Sequence, residues 1–283
     1  MKLKYLLKLI TIIASINPLV VFSDVTIKSP LGTQLIFSEK KTGEHYDPYA
    51  WGKLLFKGSE GTIDLGIEDR YFTEDGSSKV SPSGRYLKID SISGGYLYLD
   101  DGKKKYVDRA YCSIIDMSTG CYISDWDGEA CAYDWKKNED ILENSTGTEV
   151  FDFLSFRGTI MNVKNLSLLN KETVKLFLRC DAPDQKNINT YQKLATVNKT
   201  SKALTVEHIG RYLNRITTEK EIATKSYFYS SPNDNSKTKA YLVPGDKVKI
   251  IDNHSAEQWI NIGYINTRGI PLVAWIRTDS LEQ

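Results

Sequence analysis

Ala240-Tyr241-Leu242-Val243-Pro244-Gly245-Asp246-Lys247-Val248-Lys249-Ile250, followed by Trp259-Ile260-Asn261-Ile262-Gly263-Tyr264-Ile265, decides the reading of this chain. Val248, Ile250, Ile260 and Ile262 alternate with polar or small residues, the period of strands with one buried face. Gly245-Asp246 supplies turn chemistry before the first of them, and residues 266–269 supply it after the second. The same rhythm continues on both sides. Tyr227-Phe228-Tyr229-Ser230-Ser231-Pro232 is an aromatic run that breaks at a proline, and Ala274-Trp275-Ile276-Arg277-Thr278-Asp279-Ser280-Leu281 ends the chain on another strand-like run.

Taken together, residues 221–281 resemble a bacterial SH3-like (SH3b) domain. A Gly-Asp turn precedes a Val/Ile strand, a Trp opens the next strand after a polar loop, and a Gly-containing turn leads to a final Trp-Ile pair. One departure is Ala274, where that family usually has Gly. The resemblance implies a small barrel with aromatic side chains at its loop end, which in SH3-like folds line a groove for an extended peptide. On that basis Tyr227, Tyr229, Trp259, Tyr264 and Trp275 are candidate binding residues. The competing expectation is that the tryptophans, and either tyrosine, belong to the core of the barrel. A scaffold of this kind implies binding without naming a ligand.

Working back towards the N-terminus, short apolar or aromatic runs at 54–56, 62–65, 86–89 and 96–99 lie between glycine and aspartate signals. This is the pattern of β-hairpins and meanders, and Tyr96-Leu97-Tyr98-Leu99-Asp100-Asp101-Gly102 ends in an Asp-Gly hairpin turn. Ser81-Pro82-Ser83-Gly84-Arg85-Tyr86-Leu87, with Asp116-Met117-Ser118-Thr119-Gly120 downstream, resembles a blade motif of bacterial β-propellers. It occurs clearly once, whereas a propeller needs at least about four blades, so it reads as a local hairpin similarity. Residues 151–156 and 159–163 continue the β pattern, 173–178 read as a further strand, 181–189 as a polar loop and 193–202 as a basic lead-in. Val206, Ile209, Leu213 and Ile216 mark one helical face. The expected fold class is therefore mainly β. A β-rich domain of antiparallel hairpins spans 24–200, a helical linker 201–220 holds a short helix near 205–216, and the SH3-like barrel occupies 221–283.

Residues 1–23 read as a signal peptide. Lys2, Lys4 and Lys8 precede an apolar stretch interrupted by Ser15, Asn17 and Pro18, with Val21 and Ser23 at the small-residue positions before a cut. The expected product starts at Asp24, carries no membrane anchor and is periplasmic or secreted. Without the leader's three lysines the chain has 34 Lys+Arg against 36 Asp+Glu. A balance so near neutrality gives no electrostatic reason to bind nucleic acid.

Four cysteines, Cys112, Cys121, Cys131 and Cys180, are an even count in an exported chain and favour two disulfides in one of three pairings. Free buried thiols are the alternative, and the spacings do not match C-x-x-C metal or redox sites. No nucleophile elbow, metal-spaced histidine pair or Cys/His set appears around His45, His208 or His254, so no enzyme activity and no cofactor are expected. Asp125-Trp126-Asp127-Gly128-Glu129 is the densest acidic spot. It lacks the glycine and glutamate an EF-hand loop requires, which leaves an exposed turn whose Trp126 is a candidate protein contact. The functional expectation is a non-catalytic envelope binding protein with a protein partner, in one form an immunity or inhibitor protein against a cell-wall-targeting toxin. The alternative is a peptidoglycan-peptide-binding module, or an accessory protein of cell-wall hydrolysis.

Overall fold

The computed structural model describes residues 24–76, 78–126, 129–252 and 258–282, the side chains of Trp126, Glu129 and Ala130 excepted. The leader 1–23, Asp127, Gly128 and His254 lie outside the described residues. Among the described residues the chain is mainly β and antiparallel, as its alternating patterns dictate.

Nine strands build the first sheet: β1 Val25–Lys28, β2 Gln34–Lys40, β3 Ala50–Gly58, β4 Gly61–Asp64, β5 Arg70–Thr73, β6 Lys79–Val80, β7 Tyr86–Tyr98, β8 Lys104–Asp116 and β9 Cys121–Trp126. The order is β1-β2-β3-β5-β7-β8-β9, with β4 on β3 and β6 on β7. Leu35, Phe37, Leu54, Phe72, Leu87, Ile89, Ile115 and Met117 alternate onto one face and are fully or almost fully buried. Each such side chain contributes about 1.5–3 kcal/mol on burial. On the other face Tyr86, Ile114 and Ile123 pack against Leu142 and Phe153. Leu142 belongs to a small sheet of β10 Tyr133–Trp135, β11 Leu142–Asn144 and β12 Val150–Phe151. The blade-like motif forms the end of β7 and β8 opposite their connecting turn. Tyr86 pairs with Asp116, the Arg85 carbonyl accepts from the Met117 amide at 2.6 Å, and Arg85 reaches the Asp116 carboxylate at 3.3 Å.

Beyond Phe151 the structure departs from the expected strands. Residues 153–156 and 160–162 form single 3-10 turns. The Asp152 side chain accepts from the Ser155 amide and so bends the chain where a β reading would extend it. The expected strand at 173–178 is instead part of α1, Lys171–Cys180. Asn170 caps it through the Thr173 amide, and Val174 and Leu178 are buried four residues apart. The expected basic lead-in is also helical. It contains the end of α2, Ile188–Val197, and the start of α3, Lys199–Asn214, which begins well before the helix expected near 205–216. Asn198 closes one helix and caps the next, accepting from the Ser201 amide at 2.8 Å.

The last sheet contains β13 Glu219–Glu221, β14 Ser226–Tyr229, β15 Lys237–Leu242, β16 Lys247–Asp252, β17 Trp259–Ile265 and β18 Pro271–Arg277, in the order β13-β16-β17-β18-β14-β15. Val248, Ile250, Ile260, Ile262 and Ile276 form its core, as the alternation predicts. Helices α2 and α3 pack on this sheet, and α1 packs on α3. Ile209, Leu213 and Tyr191 share a core with Ile251 and Val273. A Cβ on Gly263 would lie 2.3 Å from a Leu213 methyl, so only glycine lets α3 approach this closely.

Candidate binding surfaces

The predicted binding aromatics of the last sheet separate into three groups. Tyr229 and Trp259 are buried and meet edge to face at 4.6 Å, with the Arg277 guanidinium 4.2 Å from the indole ring. Trp275 is half-buried and pairs in register with both Tyr229 and Asn261, on that same face. Tyr227 lies apart, against the exposed Tyr241, under Lys237 at 3.8 Å, while Lys225 sits 4.0 Å over Tyr241. Tyr264 belongs to a third place, donating to Asp246 at 3.3 Å beside Phe228. Packing therefore takes up Tyr229 and Trp259, while Tyr227, Tyr264 and Trp275 stay half-buried. The side chain of Trp126 lies outside the described residues. Its neighbour Asp125 is held by Arg70 at 2.6 Å and by the Ser113 hydroxyl at 2.7 Å.

The cysteines pair as Cys112–Cys131 and Cys121–Cys180. Asp90 stands next to the first pair. With both sulfurs bonded to each other, Asp90 remains the only anionic donor in that group, which is too few for a metal site. Two disulfides fit an oxidising compartment outside the cytoplasm. Among the described residues, no helix is long and apolar enough to cross a membrane.

A different aromatic surface stands free. β5 pairs with β7 only as far as Ser93, and β9 pairs with β8 only from Cys112 onwards. Residues 94–98 and 104–108 therefore continue as a two-stranded arm, roughly 17 Å long at the usual strand rise. Its turn is the one that Asp101-Gly102 predicts. Gly102 takes φ 77°, its amide donates to Leu99, and Leu99 donates to Lys103. Register places Tyr96 opposite Tyr106 and Tyr98 opposite Lys104 on one face, and Leu97 opposite Lys105 with Val107 on the other. Tyr96, Leu97, Tyr98, Leu99 and Val107 are all exposed, Tyr98 at 70%.

The foot of the arm is braced by rings. His45 stacks on Tyr106 at 4.2 Å and shares a 2.8 Å hydrogen bond with the Tyr96 hydroxyl. Tyr46 meets the buried Tyr71 edge to face at 5.1 Å. Burial pushes the Tyr71 phenol up to about 12, helped by Tyr106 and Asp108, so it stays protonated. Tyr106 lies across Gly94, where a Cβ would come within 2.0 Å of its hydroxyl. An aromatic ring thus covers backbone that glycine leaves bare. These residues enclose a hollow of about 630 Å³ also lined by Lys41, Asp69 and Arg70.

No family model, curated protein or solved structure matches the chain. Function must therefore be read from these surfaces alone. The sequence marks the arm's turn and its alternation, but not the early ending of the neighbouring strands that leaves it uncovered.

Proposed function

We propose that this chain is a non-catalytic binding protein of the cell envelope, exported to the periplasm or secreted, and that it recognises another protein through the β7–β8 arm. The observation that carries this reading is the exposure of Tyr96, Leu97, Tyr98, Leu99 and Val107 on a two-stranded projection braced at its foot by His45. Soluble proteins rarely expose so many large apolar side chains together, here on both faces of one arm, unless something covers them. Tyrosine also provides large contact area with little side-chain entropy to lose, the property that enriches it in paratopes. Lys104, 5.2 Å from the Tyr98 ring, adds a positive rim suited to an acidic partner surface. A preorganised projection is what an inhibitor or immunity protein needs to enter an enzyme cleft, and a cell-wall-targeting toxin is the partner class this reading favours.

The test is capture from envelope extract with the intact, disulfide-bonded chain, alongside an L97S/Y98A double variant. A protein retained by the wild type and lost with the variant supports the reading. Sedimentation of the chain with purified cell wall, unaffected by the double variant, would transfer the function to a peptidoglycan-binding module.

A further inference from the structure

A second site lies where the first sheet meets the helices. The β3–β4 turn and the β8–β9 turn form one wall of a cleft of about 670 Å³, and α1 and α3 form the other. The Cys121–Cys180 disulfide ties the two walls together, since Cys121 opens β9 and Cys180 ends α1. Arg179, immediately before that cysteine, lines the cleft. Its Nε is sealed from solvent and has no hydrogen-bond partner, and the guanidinium makes no ion pair among the described residues. The Thr119 hydroxyl, from the opposite wall, is likewise buried and unpartnered.

The other cations of the cleft are already engaged. Lys175 binds Glu172 at 3.2 Å, and Arg211 lies 3.8 Å from Glu207. Burial, and then Arg211, push His208 below its ordinary pKa, so it is neutral at pH 7. Arg179 has no such compensation, and burial alone lowers its pKa. Arg179 is half-buried, and a partly desolvated guanidinium without a counter-ion is a favourable place for an anion supplied from solution to bind through its terminal nitrogens.

We propose that this cleft binds the carboxylate of an organic acid, gripped by the Arg179 fork, with the apolar part of the ligand against Phe56, Leu176 and Leu178. Phe56, Leu176 and Leu178 give part of an otherwise polar lining an apolar character, which favours an organic anion over a bare ion. Glu60 and Glu172 at the rim favour a single negative charge over the double charge of phosphate. Two parallel N–H···O bonds from one guanidinium are the geometry that suits a carboxylate. The chemistry is shared by the C-terminus of a peptide and by a free small acid, and the site is independent of the arm.

The experiment uses the full disulfide-bonded chain with four probes: N-acetyl-leucine, its amide, acetyl-Ala-Ala-Leu with a free C-terminus, and inorganic phosphate. Thermal shift measures stabilisation, and the Arg179 Nε–H resonance reports the contact. N-acetyl-leucine is expected to raise Tm saturably and to move that resonance, with the amide and phosphate doing neither. Arg179→Met should lower affinity for the acid at least tenfold, the loss expected for a charge-assisted pair. It should also melt no lower than wild type without ligand, because the guanidinium has no partner to lose. Peptide binding at least tenfold tighter than N-acetyl-leucine assigns the site to chain termini, and equal affinity assigns it to free acids. Equal response to acid and amide, tighter binding of phosphate, or unchanged affinity in Arg179→Met would each overturn the proposal.

Discussion

The last sheet and the β7–β8 arm carry aromatics at similar density, yet they use them in opposite ways. In the last sheet Tyr229 and Trp259 are 8% and 7% exposed, while on the arm Tyr96 and Tyr98 are 53% and 70% exposed. Tyrosine is buried as Tyr229 and exposed as Tyr98, so residue type alone does not make the difference. Coverage does. The last sheet has helices on one face and its own core on the other. The arm runs several residues past the strands that flank it, so among the described residues no neighbouring strand covers its outer part. An aromatic cluster in a sequence thus says that surface will be buried. Strand length relative to the neighbours says whether this chain or a partner buries it.

The largest expected effect tests whether the sheet and helices on either side of the cleft act as one unit. The Cys121–Cys180 bond closes 59 residues and the Cys112–Cys131 bond 19. Replacing Cys121 and Cys180 with Ser should cost about 4 kcal/mol, and replacing Cys112 and Cys131 about 3 kcal/mol, if loop entropy dominates. Urea unfolding of both double variants measures the difference. A larger loss from the shorter loop would mean that local packing, rather than the link between regions, dominates.

Next in size is the contrast between the two tyrosine populations. Tyr229→Ala should destabilise the fold by about 3 kcal/mol, as emptying a packed aromatic site does. Tyr98→Ala should stay within about 0.5 kcal/mol of wild type, since its ring packs on little. If the two variants melt together, the division between buried and exposed aromatics is wrong. Binding should follow the reverse order. Tyr98→Ala should weaken partner capture by about 2 kcal/mol, on the order of thirtyfold. Tyr229→Ala, assayed at a temperature where it is folded, should leave capture nearly unchanged.

Much of this architecture is legible in the residues. The alternation of Val248, Ile250, Ile260 and Ile262 places the last sheet's core, Asp101-Gly102 places the arm's turn, and an even count of four cysteines foretells two bonds. Other parts need contacts that local patterns do not encode. Residues 173–178 carry Val174, Phe177 and Leu178 at helical spacing, but Thr173 and the alternating lysine and apolar residues also satisfy a strand template. The decisive signal is Asn170, three residues before Thr173 and capping its amide. Helices α2 and α3 are polar on much of their surface and become stable by lying on Ile251 and Val273, far along the chain. The isolation of Arg179 is likewise a tertiary fact, since a sequence shows a cation but not the lack of a counter-ion around it.

The smallest expected effect concerns two carboxylates on the strands that become the arm. Asp116 is buried at the end of β8 opposite the arm's turn. Burial alone would raise its pKa, but hydrogen bonds from Ser118 and the charges of Arg85 and Arg157 outweigh that and lower it. Its contribution to stability is therefore complete above the ordinary carboxylate pKa of about 3.9 and lost as pH falls through the lower folded value. Asp90, near the middle of β7, is shifted the other way. Burial raises its pKa, opposed in part by Lys88. Its Oδ1 also lies 2.7 Å from Cys112 Sγ, an atom with no proton to donate once it is bonded to Cys131. The folded chain holds the Asp90 proton more tightly than the unfolded chain does. Stability from this group is thus present below about pH 3.9 and lost as pH rises through the raised folded value. Asp90→Asn, a neutral side chain of the same shape, should then raise the urea midpoint at pH 7 and leave it unchanged at pH 3. Asp116→Asn should lower the midpoint at pH 7 and flatten its fall in acid. An Asp90→Asn variant weaker than wild type at pH 7 would show that the Asp90 carboxylate is stabilised where it stands. The central part of the arm's strands would then be anchored by charge rather than by packing, and the contrast with the last sheet would have to be redrawn there.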